Sequence, residues 1–183
     1  MAQQQPDEVL TAAADGHAWA LRQLYDELAP KVHGYLLSRG ASEPEDLTSE
    51  VFLTVFPRLS TVTGGAAGLR TFVFSVAHAR LVDDLRRRTR RPGFTPYDVA
   101  LDDRTGPSSE DEALDSLGLV AVTQLLDQLP DAQREVIALR HLADLSIEQV
   151  AELIGRTPGA VKQLQRRGLL ALRDLLAREG VTR

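Results

Sequence analysis

Near the C-terminus, Lys162, Gln163, Arg166 and Arg167 fall within one short stretch, KQLQRR. At the helical period of about 100° per residue, Gly159 and Arg166 centre one arc, flanked by Lys162, Gln163 and Arg173. Val161, Leu164, Leu172 and Leu175, with Gly168 among them, cluster on the opposite arc. Arginine, lysine and glutamine are the donors that read guanine and adenine edges and grip phosphates, so the chemistry on offer is recognition rather than bond making. Gly159 would let the helix approach a duplex closely. A solvated polar face has a similar composition, and the neighbouring residues weigh toward DNA. A second cationic run, Arg86, Arg87, Arg88, Arg90 and Arg91 in RRRTRR, carries more charge than a helix C-terminus needs. It suits the phosphates of a nucleic-acid backbone.

Helices must hold these side chains in place. Ile147, Val150, Ala151 and Ile154 make one apolar face, Gly155 supplies a tight turn, Thr157 is an N-cap and Pro158 fits a first helical position. Ala151, Gly155 and Val161 sit at offsets of 4 and 10, giving the small residue, turn former and buried branched residue that a helix-turn-helix needs. Such pairs also occur as plain structural units. Upstream, Leu21, Leu24, Tyr25, Leu28, Val32 and Tyr35 follow helical spacing, with Pro30 expected to kink or split the helix. A second helix is expected to open at Ser42-Glu43-Pro44-Glu45, with Ser42 as N-cap and Glu45 completing a capping box. Leu47, Val51, Val55 and Leu59 form its stripe, and Pro57 predicts fraying near its end. A loop over Ser60 to Gly68 leads to a long helix from Leu69 to Arg90, stopped by Pro92 and Gly93. Four further helices are expected over about 119–129, 131–142, 146–154 and 158–177.

The chain has no period-two run long enough for a strand, so the expected fold is all-α. Residues 1–92 hold 11 Lys and Arg against 11 Asp and Glu, residues 93–118 hold 1 against 7, and residues 119–183 hold 9 against 8. The net charge of −5 therefore sits in one middle segment and does not argue against nucleic acid. The expected organisation is a disordered N-terminus over 1–14, a helical domain over 15–91, a flexible acidic linker over 92–118 and a helix-turn-helix domain over 119–183. Without cysteine, disulfides and zinc-ribbon patterns are excluded. His17, His33, His78 and His141 lack metal-ligand spacing, and TGGAAG lacks the Lys-Ser/Thr of a phosphate-cradling loop. No nucleophile–base pairing stands out, so neither an enzyme activity, a cofactor nor a metal is expected. The N-terminus has no signal-peptide character and no run spans a bilayer, so the chain is expected in the cytoplasm.

Four segments, in order, carry a family resemblance covering nearly the whole chain. LRQLYDELAPKVHGYLLSRG, EDLTSEVFLTVFPRL, LRTFVFSVAHARLVDDLRRRTRR and LDQLPDAQREVIALRHLADLSIEQVAELIGRTPGAVKQLQRRGLLALRDLL resemble the conserved helices of bacterial extracytoplasmic-function (ECF) sigma factors of the sigma-70 family. The resemblance implies a region 2-like domain and a region 4-like domain. It implies docking on core RNA polymerase through Asp46, Leu47, Glu50, Val51 and Phe52. It implies recognition and opening of the promoter −10 element by Arg70, Thr71, Phe72 and His78, with Arg86 and Arg87 on duplex phosphates. The loop over Ser60 to Gly68 would hold a flipped base. It implies −35 recognition by Lys162, Gln163, Arg166 and Arg167, with Gly159 on the reading arc and Arg156 and Thr157 near the phosphates. A cognate anti-sigma factor is a further implied partner. The family pattern is departed from at Phe72, His78, Ala79, Leu164 and Gln165. A stand-alone helix-turn-helix regulator is the alternative class, and it would leave the acidic helix and the RRRTRR helix unexplained.

Overall fold

The computed structural model describes residues 6–90 and 121–178. They form α1 (Pro6–Ala14), α2 (Ala18–Ser38), α3 (Pro44–Val55), a 3₁₀ helix (Phe56–Thr61) and α4 (Gly65–Arg90). A helical stretch over 121–127, α5, is followed by α6 (Asp131–His141), α7 (Ile147–Leu153) and α8 (Pro158–Arg178). The described residues contain no strand. The expected linker over 92–118 lies outside them.

In the first half, the stripe expected on α2 is buried at Leu24, Leu28, Val32 and Tyr35. It meets Leu47, Val51 and Val55 of α3 and Leu69, Val73, Phe74, Ala77 and Leu81 of α4. The Tyr35 and Phe74 rings meet edge to face with centroids 5.8 Å apart. Tyr25 leaves the stripe: it is exposed and leans on Phe52, 4.8 Å between centroids.

Several local expectations need correction. Residues 6–14 are helical, not disordered: Val9, Leu10 and Ala13 are buried, and α1 packs on α2, the 3₁₀ helix and α4. The Asp7 carboxylate also accepts the Ala66 N–H at 3.3 Å, placing a negative charge at the start of α4. Pro30 sits inside one assigned helix, so it does not split α2. Ser42 does not cap α3. The N-cap is Glu43, without a side-chain cap, while Ser42 Oγ donates to Asp84 at 2.7 Å and Ser42 N–H to the same carboxylate at 3.1 Å. Asp84 thus ties the start of α3 to α4. The loop after α3 is also shorter than expected, because Phe56–Thr61 is 3₁₀ and α4 begins at Gly65.

In the second half, Ser146 caps α7 with a complete capping box: the Gln149 N–H donates to Ser146 Oγ at 3.1 Å, and the Ser146 N–H donates to Gln149 Oε1 at 2.7 Å. Gly155 takes φ +66°, and Ala151 and Val161 are buried, as a helix-turn-helix requires. Leu126, Leu129 and Ile137 form a small separate cluster with Leu172 and Leu175 of α8. The main cluster is continuous from α1 through Val136, Leu139, Leu145 and Val150 to Val161, and α6 packs against α2.

Gly68 is set by close approach. A Cβ there would lie 1.7 Å from the Thr63 carbonyl oxygen, which belongs to the backbone. Gly68→Ala should therefore lower stability by about 1–3 kcal/mol through overpacking. A fall in the urea midpoint at unchanged slope checks this.

Candidate functional site

Three surfaces emerge from this packing. The first is the outer arc of α8. Val161 and Gly168 face inward, and a Cβ at Gly168 would lie 2.8 Å from Ile137 Cγ1, so the helix crosses α6 closely. That fixes its roll. Arg156, Thr157, Gly159, Lys162, Gln163, Arg166 and Arg167 are all exposed. Thr157 Oγ1 accepts the Ala160 N–H at 3.2 Å and caps the helix. Gly159 borders open space: a Cβ there would meet no atom within 4 Å. No described acidic side chain pairs with Lys162, Arg166 or Arg167, leaving their charge free for an anion.

The second surface is α3. Asp46, Glu50 and Leu53 lie at i, i+4 and i+7 on one exposed arc. Leu53 is 76% exposed and shares its arc with these two carboxylates. Glu50 lies 3.6 Å from Arg80 of α4. Leu47, Val51 and Phe52 point the other way and are buried, so a partner resting on α3 meets Asp46 and Glu50 but not these three. Sequence reading missed Leu53. Its signal is an apolar residue on an otherwise polar arc.

The third surface is α4 with the turn before it. Arg86 and Arg87 are exposed, whereas Arg70, Thr71, Phe72 and His78 are partly covered. A cleft between the Thr61–Gly68 turn and α7 is lined by Phe72, Thr71 and Ser75 on one side and Gln149 and Leu153 on the other. Arg70 pairs with Asp144 at 2.5 Å, and Gln149 Nε2 donates to Thr71 Oγ1 at 2.6 Å. Burial holds the Tyr35 hydroxyl protonated well above its ordinary range. It donates to His78 Nδ1 at 2.9 Å in the tautomer protonated at Nε2. Burial also pushes the His78 imidazole below its ordinary value of 6.5, against the opposing pull of Glu135, 3.9 Å away. His78 is therefore a neutral hydrogen-bonding group here, not a phosphate cation. Arg39 had no signal in sequence. It is 5% exposed in its side chain and bonds Asp131 at 2.5 Å and Glu135 at 3.4 Å. Its hydrogen bond holds the Asp131 carboxyl below the usual range.

Comparison with known proteins decides the class. The sigma-70 region 2 family matches residues 24–91, and the sigma-70 region 4 family matches residues 125–174. The chain is 34% identical over 175 residues to the ECF RNA polymerase sigma factor ShbA of Streptomyces griseus, covering 89% of this chain and 91% of that protein. The chain belongs to the ECF sigma factors of the sigma-70 family. It is also 31% identical to the ECF sigma factor BldN of Streptomyces coelicolor, over 92% of this chain but 65% of that protein's length. In fold it resembles the sigma factor RpoE of Bartonella quintana, solved with the anti-sigma factor NepR, at TM-score 0.65 and 21% identity over 85% of this chain and 96% of that one. CnrH, solved with the cytosolic domain of CnrY, gives TM-score 0.63 at 20% identity over 94% and 97%. In sigma-factor terms, α2 to α4 build region 2 and α5 to α8 build region 4.

The neutral His78 makes this sigma factor's stability pH dependent. Its folded value lies below 6.5, so the unfolded chain takes up more protons as the solution is acidified. The contribution is fully present above pH 6.5 and is lost as pH falls below it. His78→Gln should flatten the stability profile in that window, and an NMR titration of wild type should place the His78 midpoint below 6.5.

Proposed function

We propose that the three surfaces divide the work of a sigma factor: α3 binds core RNA polymerase, α4 with its preceding turn takes the −10 strand, and α8 reads the −35 element. The observation that carries this reading is the free, outward arc of Lys162, Gln163, Arg166 and Arg167 on a helix rolled into place by Val161 and Gly168. An arc of unpaired donors on the second helix of a helix-turn-helix has major-groove chemistry. Arg156 and Thr157, exposed at the start of that helix, suit phosphates.

On α3, Asp46 and Glu50 around exposed Leu53 offer an apolar contact with an acidic rim, which complements a basic polymerase element. Leu47, Val51 and Phe52 support that surface from beneath by setting the roll of α3. On α4, Arg70, Thr71, Phe72 and His78 combine cation, hydroxyl, ring and imidazole, a mixture suited to unstacked bases and single-strand phosphates. Arg86 and Arg87, exposed in the last turns, suit duplex phosphates. The turn held by Gly68 forms one wall of a cleft fit for a flipped base. Melting is then driven by binding, with no catalytic step, metal or cofactor assigned to the chain.

Among the described residues no helix is long and apolar enough to cross a membrane, and the partners proposed for the chain place its work in the cytoplasm. RpoE and CnrH were solved with the partners NepR and CnrY, and we propose that this chain too is held by a cognate anti-sigma factor.

Two experiments test the assignments. Glu50→Lys and Leu53→Asp should each weaken core polymerase binding by about 1–3 kcal/mol, the range of a moderate interface anchor, with helicity unchanged. Binding equal to wild type in both would remove α3 from the interface. Arg166→Ala should cost about 1–3 kcal/mol in holoenzyme binding to promoter DNA if it reads a base, with relaxed preference at one −35 position.

A further inference from the structure

The turn that leads into α4 has little of its own to hold it in shape. Gly64 and Gly65 stand side by side in the left-handed region, at φ +83° and +59°. Glycine enters that conformation freely and leaves it as freely. Gly64, immediately before α4, has no side chain with which to cap the helix. The turn's own hydrogen bonds are local. Val62 N–H donates to the Leu59 carbonyl at 3.0 Å, Thr61 Oγ1 to the Arg58 carbonyl at 2.7 Å and Gly68 N–H to the Gly64 carbonyl at 3.1 Å. Yet Thr61, Val62, Thr63 and Gly68 line the same cleft as Phe72, so their placement sets its shape.

The missing cap comes from α1. The Asp7 carboxylate accepts the Ala66 N–H at 3.3 Å. A Cβ at Gly65 would lie 2.6 Å from Asp7 Oδ1, so the carboxylate rests directly against the glycine backbone. Asp7 also belongs to the first turn of α1, so its charge sits at the positive ends of two helices. Among the described residues this is the one hydrogen bond that ties the turn to a distant part of the chain. The helix that carries it is anchored independently. Val9, Leu10 and Ala13 are buried, and α1 packs on the 3₁₀ helix that runs into the same turn. Asp7 itself is exposed and adds nothing to that core.

We propose that Asp7 is a positioning residue for recognition of the −10 strand: carried on α1, its carboxylate fixes the Gly64–Gly68 turn in the shape that receives an unstacked base. This role rests on the reading of α4 and its turn as the strand site. A turn already in its bound shape needs no further ordering when a base enters, and it tells bases apart by fit. A turn released from Asp7 adjusts to each base, so affinity and discrimination fall together. The acceptor oxygen does this, not the charge, so asparagine can replace aspartate and alanine cannot.

The test uses the full chain as holoenzyme on a promoter found by mapping its genomic starts. Two pools of that promoter are transcribed, one randomised over the −10 element and one over the −35 element, and the transcripts are sequenced. Asp7→Ala should flatten the −10 base preference by roughly fivefold, the effect of one ordinary hydrogen bond, and leave the −35 preference unchanged. Asp7→Asn should keep both preferences. In the free chain, Asp7→Ala should speed hydrogen exchange at the Ala66 amide, and Asp7→Asn should not. A −10 preference kept by Asp7→Ala but flattened by Phe72→Ala would overturn the role of Asp7 and leave the strand site standing. A −10 preference that neither variant moves would sink the strand site, and the role of Asp7 with it. Equal flattening at −10 and −35 by Asp7→Ala would also count against positioning, because a damaged fold loses both.

Discussion

The roll of α4 and of α8 decides which side chains those two helices present to solvent. On α4, Val73, Phe74, Ala77 and Leu81 must be inside, with Phe74 against the buried Tyr35 ring. Burying a large apolar side chain contributes about 1.5–3 kcal/mol, so rotating the helix to expose that stripe is prohibitive. Thr71, Ser75 and His78 consequently share a flank of α4 beside that stripe, where the Tyr35 hydroxyl reaches His78. The same logic operates on α8, where Gly168 allows the close crossing over Ile137 and Val161 closes the core. The polar arc is then left facing solvent. Packing selects which face each helix exposes, and the polar side chains on those faces contribute little to packing.

Polar chemistry concentrates where the two regions meet. Tyr35 hydrogen-bonds His78, which lies 3.9 Å from Glu135, and Glu135 and Asp131 pair with Arg39 at the edge of an otherwise apolar core. Arg39 caps the end of α2, and its hydrogen-bonded partners lie on α6, in the other region. Burying a charge is tolerated only with good partners, so Arg39 links the fold of region 2 to the position of region 4. A purely apolar seam would have no such preference for one docked geometry.

Much of the fold was legible because helical periodicity reports burial directly. Leu24, Leu28, Val32 and Tyr35, and likewise Gly155 and Pro158, behave as their spacing implies. What was not legible depends on distant partners. Ser42 and Glu45 spell a local capping box, but Ser42 is taken by Asp84, 42 residues away. The nine residues of α1 are too few to show a period, and the helix owes its order to packing on α2 and α4. On α3, a motif string does not separate the inward Leu47, Val51 and Phe52 from the outward Asp46, Glu50 and Leu53; only the arc does. Arg39 and its carboxylates lie more than 90 residues apart and had no shared pattern.

Polymerase-dependent promoter use is tested most directly by reconstituted transcription: the purified chain with bacterial core polymerase on a pool of genomic promoter fragments, with transcript 5′ ends sequenced. The expected result is a set of new starts that share two spaced upstream motifs and disappear when core or chain is left out. A folded chain that binds specific duplex DNA by itself yet produces no starts with core polymerase would contradict the division of work among α3, α4 and α8.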